Sequence, residues 1–191
     1  MRATRSRRSR GLRLQAGALP GNVSVAATPV RILGLDPGSV VTGFGVVDVS
    51  AGGTRYVSSG SIRAGKGELV ARLRLIFTHV GELIEAYAPG EVAIERIFMH
   101  VNPDSALKLG QARGAALCGA TVGGASVHEY TPREVKLAIT GTGAAEKTQV
   151  QHMVRALLSV EGKLGADAAD ALAIALCHAH HRALGRPGGA R

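Results

Sequence analysis

The sequence predicts an α/β fold in which a mixed five-stranded sheet is flanked by helices. Three short strand patterns come first, and helix and strand patterns then alternate until the chain ends in helices. This order is typical of α/β proteins, because tight turns join the early strands and helical connections separate the later ones. With 191 residues, 46% of them hydrophobic, the chain is long enough to bury a core of that kind.

The predicted strands fall into an early and a late group. Residues 31–36, 42–49 and 55–62 are short apolar or alternating segments separated by glycine-rich turns, which is the pattern of an antiparallel meander. Two later strands are predicted over residues 91–98 and 126–130. Helical segments separate these two strands from each other and from the meander, which gives a mixed sheet.

Five helices are predicted. Apolar residues recur at helical spacing over residues 68–87, and Pro89 and Gly90 end that helix. Residues 103–122 form a helix rich in small residues, and the segments 132–139, 146–160 and 167–183 also have helical patterns. Since no internal repeat is visible, we expect one domain over residues 30–183 and a flexible tail over residues 184–191.

The first 29 residues differ in composition from the rest of the chain. They contain six arginines and no acidic residue, so they contribute +6 to the net charge of +9 and the remainder contributes +3. Their Arg, Ser, Ala and Gly content, without hydrophobic periodicity, predicts a disordered extension. Three interpretations stay open: a nucleic-acid-binding arm, an organelle transit peptide, or an extension from an upstream start that has no role.

Composition also excludes some classes of protein. No uninterrupted apolar run approaches the length of a membrane span, so we expect no membrane association. Cys118 and Cys177 lie in helical, apolar segments, which favours buried, reduced thiols in a cytoplasmic protein over a disulfide framework. The positive net charge favours a polyanionic partner, although the N-terminal extension supplies most of it.

Four carboxylates stand where apolar residues are expected. Asp36 ends the apolar run of the first strand, and Glu95 interrupts the fourth. Asp167 and Asp170 lie three residues apart at the start of the last helix, so they share a face. Each has an ordinary alternative role in a turn, an ion pair or a helix N-terminus. Together they predict a Mg²⁺ or Mn²⁺ site, because clustered carboxylates in apolar surroundings need neutralising and no His or Cys stands at ligand spacing.

Five motifs resemble the RuvC family of Holliday junction resolvases, in the ribonuclease H-like superfamily. They occupy residues 32–39 with 42–45, 93–98, 102–114, 146–147 with 149–154, and 167–175, in the order of the family. The resemblance runs from about residue 30 to residue 183, and His100 and Val101 depart from it locally. It implies a ribonuclease H-like fold, a homodimer, and paired, metal-dependent cleavage of four-way DNA junctions in recombination and repair.

The resemblance identifies Asp36, Glu95, Asp167 and Asp170 as the catalytic, metal-binding quartet, which would hold two Mg²⁺ ions with Mn²⁺ as a substitute. Such a pair of ions, about 4 Å apart, activates a water and stabilises the leaving alkoxide. We assign Asp36 as the bridging ligand and Glu95 and Asp170 as further ligands. Asp167 is either a ligand or a base that orients the water. No other cofactor is expected.

The resemblance also implies residues that contact DNA. Lys136 and Lys147 match basic positions that face the junction backbone near the scissile phosphate, and Phe98 matches an aromatic residue that stacks on exposed bases. Without the family resemblance, the two lysines would be interpreted as solvated residues at helix ends and the phenylalanine as a core residue. Lys108 and Arg113 contact either phosphates or a dimer partner. A branch-migration motor complex is the implied protein partner.

Two further patterns are interpreted as ordinary structure. Residues 141–148 resemble a phosphate-binding loop, but Glu146 replaces the glycine before the lysine and would repel phosphate, so we expect no ATP site. His178, His180 and His181 end the last helix, where imidazoles suit the helix dipole, and we interpret them as capping residues rather than metal ligands.

Three rival functions remain for comparison. The Asp-Pro-Gly-Ser turn after the first strand also resembles the first phosphate loop of actin- and hexokinase-type ATPases, but the second loop of those proteins is missing. A non-catalytic junction-binding module would have no use for a full acidic quartet. Another ribonuclease H-like nuclease, acting on hybrids or linear DNA, is the third alternative.

Overall fold

A computed structural model of the chain describes residues 28–96 and 103–185. Its ten elements follow the predicted order. They are the strands β1 (Val30–Asp36), β2 (Val41–Ser50) and β3 (Gly53–Arg63), helix α1 (Leu69–Tyr87), strand β4 (Glu91–Glu95), helix α2 (Pro103–Thr121), strand β5 (Ser126–Tyr130), and the helices α3 (Pro132–Thr140), α4 (Lys147–Leu157) and α5 (Ala166–Ala183).

The five strands form one mixed sheet in the order β3-β2-β1-β4-β5. The first three strands pair antiparallel, whereas β4 runs parallel to both β1 and β5. This arrangement confirms the predicted α/β class, including the meander. It also places the ends of β1 and β4 next to each other, because parallel neighbours finish at the same edge of a sheet.

Alternation along the strands divides the core between the two faces of the sheet. On one face Leu33, Val46 and Ile94 belong to a buried cluster that includes residues of α1 and α2. On the other face Ile32, Val47 and Ala93 belong to a cluster with residues of α3, α4 and α5. The period of two that separates these sets is the usual signature of a strand covered on both faces.

Element boundaries differ from the prediction at two places that matter. β4 ends at Glu95, three residues before the predicted end, and residues 97–102 lie outside the described part of the chain. α4 ends at Leu157 rather than at residue 160, because Ser159 adopts a left-handed backbone with φ of 48°, which a right-handed helix cannot include.

The cysteine prediction is half wrong. Cys177 is buried in α5, as predicted, but Cys118 is exposed because it faces away from the sheet on the outer side of α2. Both are free thiols.

Within residues 28–96 and 103–185, none of the helices combines the length and the apolar character needed to cross a bilayer. The proposed division at residues 29/30 and 183/184 stays a prediction.

Candidate active site

Two of the four predicted carboxylates lie side by side at one edge of the sheet. Leu35 of β1 pairs with Ile94 of β4, so the next residues, Asp36 and Glu95, end adjacent parallel strands. Both follow the alternation that places Ile32 and Ala93 on the α5 face. The carboxyl groups therefore meet on the side of the sheet that α5 covers.

Helix α5 brings the other two carboxylates to the same edge. Asp167 and Asp170 lie in its first turns, and the helix runs across β1 and β2 at very short range. A Cβ atom on Gly34 would come within 2.2 Å of the Ala171 carbonyl oxygen, and one on Gly43 within 2.1 Å of the Asp167 carbonyl oxygen. Only glycine permits this approach, so these two strand positions fix how closely the acidic end of α5 meets the sheet.

A cleft of about 320 Å³ opens where these elements meet. Its polar wall combines acids and bases, and the residues are Asp36, Glu95, Lys136, Lys147 and Asp170. Apolar side chains of α3, α4 and α5 line the remainder. Asp167 instead lines an adjoining, larger groove of about 670 Å³ together with Arg63 and Lys163. The structure thus brings three predicted carboxylates and both predicted lysines into one cleft, with the fourth carboxylate at its border.

Burial and charge repulsion together determine the electrostatics of this cleft. The pKa of Asp36 is raised from 3.8 to about 7, mainly by burial and in addition by the nearby charges of Glu95, Asp170 and Asp167, while Lys147 opposes the rise. Burial also raises the pKa of Glu95, again with a contribution from Asp170, and both lysines oppose that rise. Carboxylates held this close in an apolar wall are costly unless a cation neutralises them.

Lys147 supplies part of that neutralisation. Its Nζ atom lies 2.5 Å from Oδ2 of Asp170, in an ion pair whose carboxylate is largely buried. The hydrogen bond to Asp170 is the main reason why the pKa of Lys147 is raised. Two ammonium groups, those of Lys136 and Lys147, still leave four carboxylates with a net negative charge. A donor set made only of carboxylates matches the preference of Mg²⁺ and Mn²⁺.

Comparison with known proteins identifies the family. The sequence profile described as crossover junction endodeoxyribonuclease RuvC matches residues 32–178. The chain belongs to the RuvC family. The protein of that description from Aromatoleum aromaticum is 55% identical over 157 residues, which are 82% of this chain and 84% of the relative. The one from Marinobacter nauticus is 57% identical over 78% of this chain and 85% of its own length.

Solved structures agree with this membership in the RuvC family. The Thermus thermophilus RuvC structure superposes with a TM-score of 0.76 at 34% identity, covering 83% of this chain and 99% of that one. The same protein in complex with Holliday junction substrate gives a TM-score of 0.77 over 83% and 98% of the two chains. The yeast mitochondrial Holliday junction resolvase Ydc2 is 12% identical with a TM-score of 0.62, covering 84% and 83%, and supports the fold alone.

Two arginines support the site of this RuvC-family chain in roles that its sequence did not predict. Arg72 of α1, only 9% exposed, donates from an Nη atom to the carbonyl of Ser39 at 2.7 Å and so fixes the turn that follows Asp36. The sequence did contain a signal for it. Arg72 stands four residues before Ile76 and eight before Val80, in register with the buried face of its helix.

Arg113 of α2 supports the other strand end. Its Nε atom donates to the backbone carbonyl of Glu95 at 2.9 Å, and its guanidinium lies 3.0 Å from a carboxylate oxygen of Glu129 on β5. Arg113 therefore contacts the active-site strand from within, which neither of its two predicted roles anticipated. Lys108 instead pairs with Asp104 at 2.6 Å on the exposed side of the same helix. Phe98 lies outside the described residues.

Proposed function

We propose that this chain resolves four-way (Holliday) DNA junctions as a Mg²⁺-dependent crossover junction endodeoxyribonuclease. The observation that carries the proposal is the convergence of Asp36, Glu95 and Asp170 in one cleft of a RuvC-family chain, with Asp167 at its border. The raised pKa of Asp36 supports a cation there, because burial and the neighbouring carboxylates keep this carboxyl protonated up to about pH 7 and a divalent ion would stabilise its charged form.

The quartet fits the hydrolysis of a phosphodiester. Bound Mg²⁺, in a pair of ions about 4 Å apart, would supply a water of lowered pKa and a counter-charge for the leaving oxygen. In our proposal Asp36, at the end of β1, would be the ligand shared by the ions, and Glu95 and Asp170 would be further ligands. Asp167 serves as a further ligand or orients the attacking water. Mn²⁺ would substitute for Mg²⁺, because it shares the preference for oxygen ligands.

Lys136 and Lys147 are proposed to contact the DNA backbone beside the scissile phosphate. Both line the cleft, and Lys147 pairs with Asp170 in the absence of DNA. Once Asp170 is engaged as a ligand, the ammonium group loses this partner and becomes available to a phosphate oxygen. The proposal for Phe98, stacking on exposed bases at the crossover, rests on the resemblance of residues 93–98 to the family motif.

A homodimer is proposed to place two such clefts on the two cleaved strands. A four-way junction is nearly two-fold symmetric, and an isologous dimer matches that symmetry. One face of α2 is buried, but its opposite face carries Leu107, which is 64% exposed, followed at helical spacing by Gly110 and Gly114. A Cβ atom on either glycine would meet no atom within 4 Å, so this outer face has space for a second helix.

The interface is tested by Gly114→Arg, which places a large charged side chain on the outer face of α2. We expect light scattering to show a dimer for the wild type and a monomer for the variant, with paired cutting replaced by single nicks. The matched control is Gly81→Arg on the exposed side of α1, where an added Cβ also meets no atom within 4 Å. A variant at position 114 that stays dimeric would exclude this face as the interface.

Cleavage assays test the catalytic proposal. Asp36→Asn, Glu95→Gln and Asp170→Asn should each abolish cutting of a labelled four-way junction in Mg²⁺ while junction binding largely persists, since phosphate contacts remain. Glu85→Gln, an exposed acid on α1, is the control and should cut normally. Substantial cutting by any member of the quartet would refute its assignment. Linear duplex and an RNA–DNA hybrid are assayed in parallel with the junction. Preferential cutting of either would favour the alternative function, that of another ribonuclease H-like nuclease.

The cellular setting is proposed from the substrate. Junction DNA would bring the enzyme to the cytoplasm of a bacterial cell, alongside a motor complex that drives branch migration. Co-purification of such a motor with the junction-bound protein, and loss of that association when junction DNA is omitted, would test the partnership.

A further inference from the structure

A second cluster of ligand-type side chains lies at the opposite edge of the sheet from the carboxylate quartet. Glu91, His128 and His178 each place one potential ligand atom within 4.8 Å of the others. Glu91 begins β4, the strand that ends at Glu95, and His178 lies eight residues after Asp170 on the same face of α5. The distance from Glu91 to Glu95 along the strand and the distance from Asp170 to His178 along the helix are both about 12–13 Å. This cluster is therefore separate from the active site.

The burial and hydrogen bonding of His178 are those expected of a metal-binding histidine. It is 3% exposed, its Nε2 atom lies 2.8 Å from a carboxylate oxygen of Glu91, and its Nδ1 atom lies 2.6 Å from the hydroxyl of Tyr130. That hydroxyl can donate to Nδ1 when Nε2 carries the proton, or accept from Nδ1 when Nε2 binds an ion. A hydrogen-bonded second nitrogen is the usual support of a histidine ligand.

The other two members have comparable support. Nε2 of His128 lies 3.1 Å from the Ser126 hydroxyl, and its ring stacks on that of His178 with centroids 4.2 Å apart. Arg182 donates to one carboxylate oxygen of Glu91 at 2.8 Å, which orients the group and leaves the other oxygen on the His178 side. His178 and Glu91 thus each have one polar atom held by another side chain and a second directed to the other, and His128 stacks beside them.

We propose that Glu91, His128 and His178 form a structural site for a divalent transition metal such as Zn²⁺, with water completing the coordination. Two imidazoles and one carboxylate form a common donor set for this class of ion. Zinc lies about 2.0–2.2 Å from such ligands, which requires about 3.3 Å between neighbouring ligand atoms. The 2.8 Å contact between His178 and Glu91 must therefore open by about half an ångström, and His128, which is only partly buried, must turn inward.

Such an ion would join three elements that the active site depends on. β4 carries Glu91 and Glu95, α5 carries His178 and Asp170, and β5 carries His128 next to the Glu129 that contacts Arg113. The ion would fix the distal ends of the helix and strand whose other ends hold the catalytic carboxylates.

The test uses the untagged full-length protein with Mg²⁺ in excess, so that oxygen-ligand sites are occupied. Zn²⁺ affinity is measured by competition with a chromogenic chelator, and Co²⁺ replaces Zn²⁺ to report nitrogen ligands in the visible spectrum. We expect one Zn²⁺ per chain, a rise in melting temperature, and a loss of affinity of roughly 10-fold or more in Glu91→Gln and in His128→Gln. His180→Gln, an exposed histidine of the same helix, should bind as the wild type does.

Three outcomes would overturn the proposal. The first is no Zn²⁺ binding by the wild type under these conditions, which would leave the cluster as a hydrogen-bonded histidine and glutamate pair. The second is unchanged affinity in both Glu91→Gln and His128→Gln. The third is binding that survives Glu91→Gln and disappears in Asp170→Asn, which would place the ion at the carboxylate quartet. Glu91→Gln preserves the shape of the side chain and keeps one acceptor oxygen for Arg182, and its amide can donate to the unprotonated Nε2 of His178, so a folded variant is available for the comparison.

Discussion

Replacing Asp36 by asparagine should stabilise the metal-free protein while it abolishes catalysis. The carboxyl group has a pKa of about 7 in the folded chain and 3.8 as its ordinary value. When folding raises the pKa of an acidic group, the free energy of unfolding falls as the pH rises from the pKa of the unfolded chain to the pKa of the folded chain. The penalty is therefore absent below about pH 4, grows between pH 4 and pH 7, and is complete above that range.

The size of the effect follows from the same two values. At 1.36 kcal/mol for each tenfold change in proton affinity, a rise from 3.8 to about 7 corresponds to an upper limit of roughly 4 kcal/mol. A domain of this size gains about 2–4 °C in melting temperature per kcal/mol. Asp36→Asn should thus melt up to roughly 8–16 °C above the wild type at pH 8 without divalent ions, and at the same temperature as the wild type near pH 4.

Magnesium should narrow the difference in stability between the wild type and Asp36→Asn. An ion at one hundred times its dissociation constant stabilises the folded state by about 2.7 kcal/mol, and this gain requires an intact site. We expect the melting temperature of the wild type to rise with Mg²⁺ and that of Asp36→Asn to change little. Thermal unfolding followed by circular dichroism across pH 4 to 8, with and without Mg²⁺, measures both effects.

Asp48 provides the matched control. It is 5% exposed, and ion pairs with Arg31 and Arg55 at 2.8 and 2.7 Å lower its pKa. Asp48→Asn should therefore destabilise the protein at neutral pH, with a difference that fades as the pH falls toward the acid range. An Asp36→Asn variant that is no more stable than the wild type at pH 8, or one whose advantage does not depend on pH, would refute the repulsive cluster.

Three further predictions concern DNA. Lys136→Ala and Lys147→Ala should each weaken junction binding and lower the slope of its salt dependence by roughly one, measured by titration at several salt concentrations; unchanged slope and cleavage would return both to solvated surface residues. Phe98→Ala should reduce junction cleavage more than affinity for linear duplex, since stacking contributes about 1–3 kcal/mol per unpaired base; a collapsed melting temperature would instead indicate a core residue. Removal of residues 1–29 should leave junction cutting intact at high Mg²⁺ while lowering non-specific duplex affinity and its salt slope, whereas lost junction selectivity would make that segment part of the recognition surface.

The sequence was sufficient for the order of elements, and it singled out the four carboxylates that the structure brings to one edge of the sheet. Strand and helix periods are local properties, and the five family motifs are contiguous, so both are visible without a structure. The supports of the site are not local. Arg72 contacts a carbonyl 33 residues away, and Arg113 contacts one 18 residues away, so only the packing of α1 and α2 reveals their roles.

The distal histidines illustrate the same limit. Local spacing predicts the same capping role for His178, His180 and His181, because they are neighbours in sequence. In the structure His178 is buried against β4 and β5, whereas His180 is exposed. The partners of His178 are Glu91 and Tyr130, which lie 87 and 48 residues away in the chain. A prediction based on local spacing could not separate the three.

Rigid packing explains why the cleft should bind cations rather than relax. Four carboxylates could reduce their repulsion if α5 moved away from the sheet, but its contact with Gly34 and Gly43 is backbone against backbone, and most of the helix is buried. Separation would expose that apolar surface at about 25 cal/mol per Å². The repulsion is therefore retained in the folded state, and only protonation of Asp36, the ion pair of Lys147 or a bound divalent ion relieves it. Of these three, only the divalent ion can neutralise several carboxylates while all of them stay ionised, and the packing that keeps the carboxylates close together is also what would hold them in place as ligands.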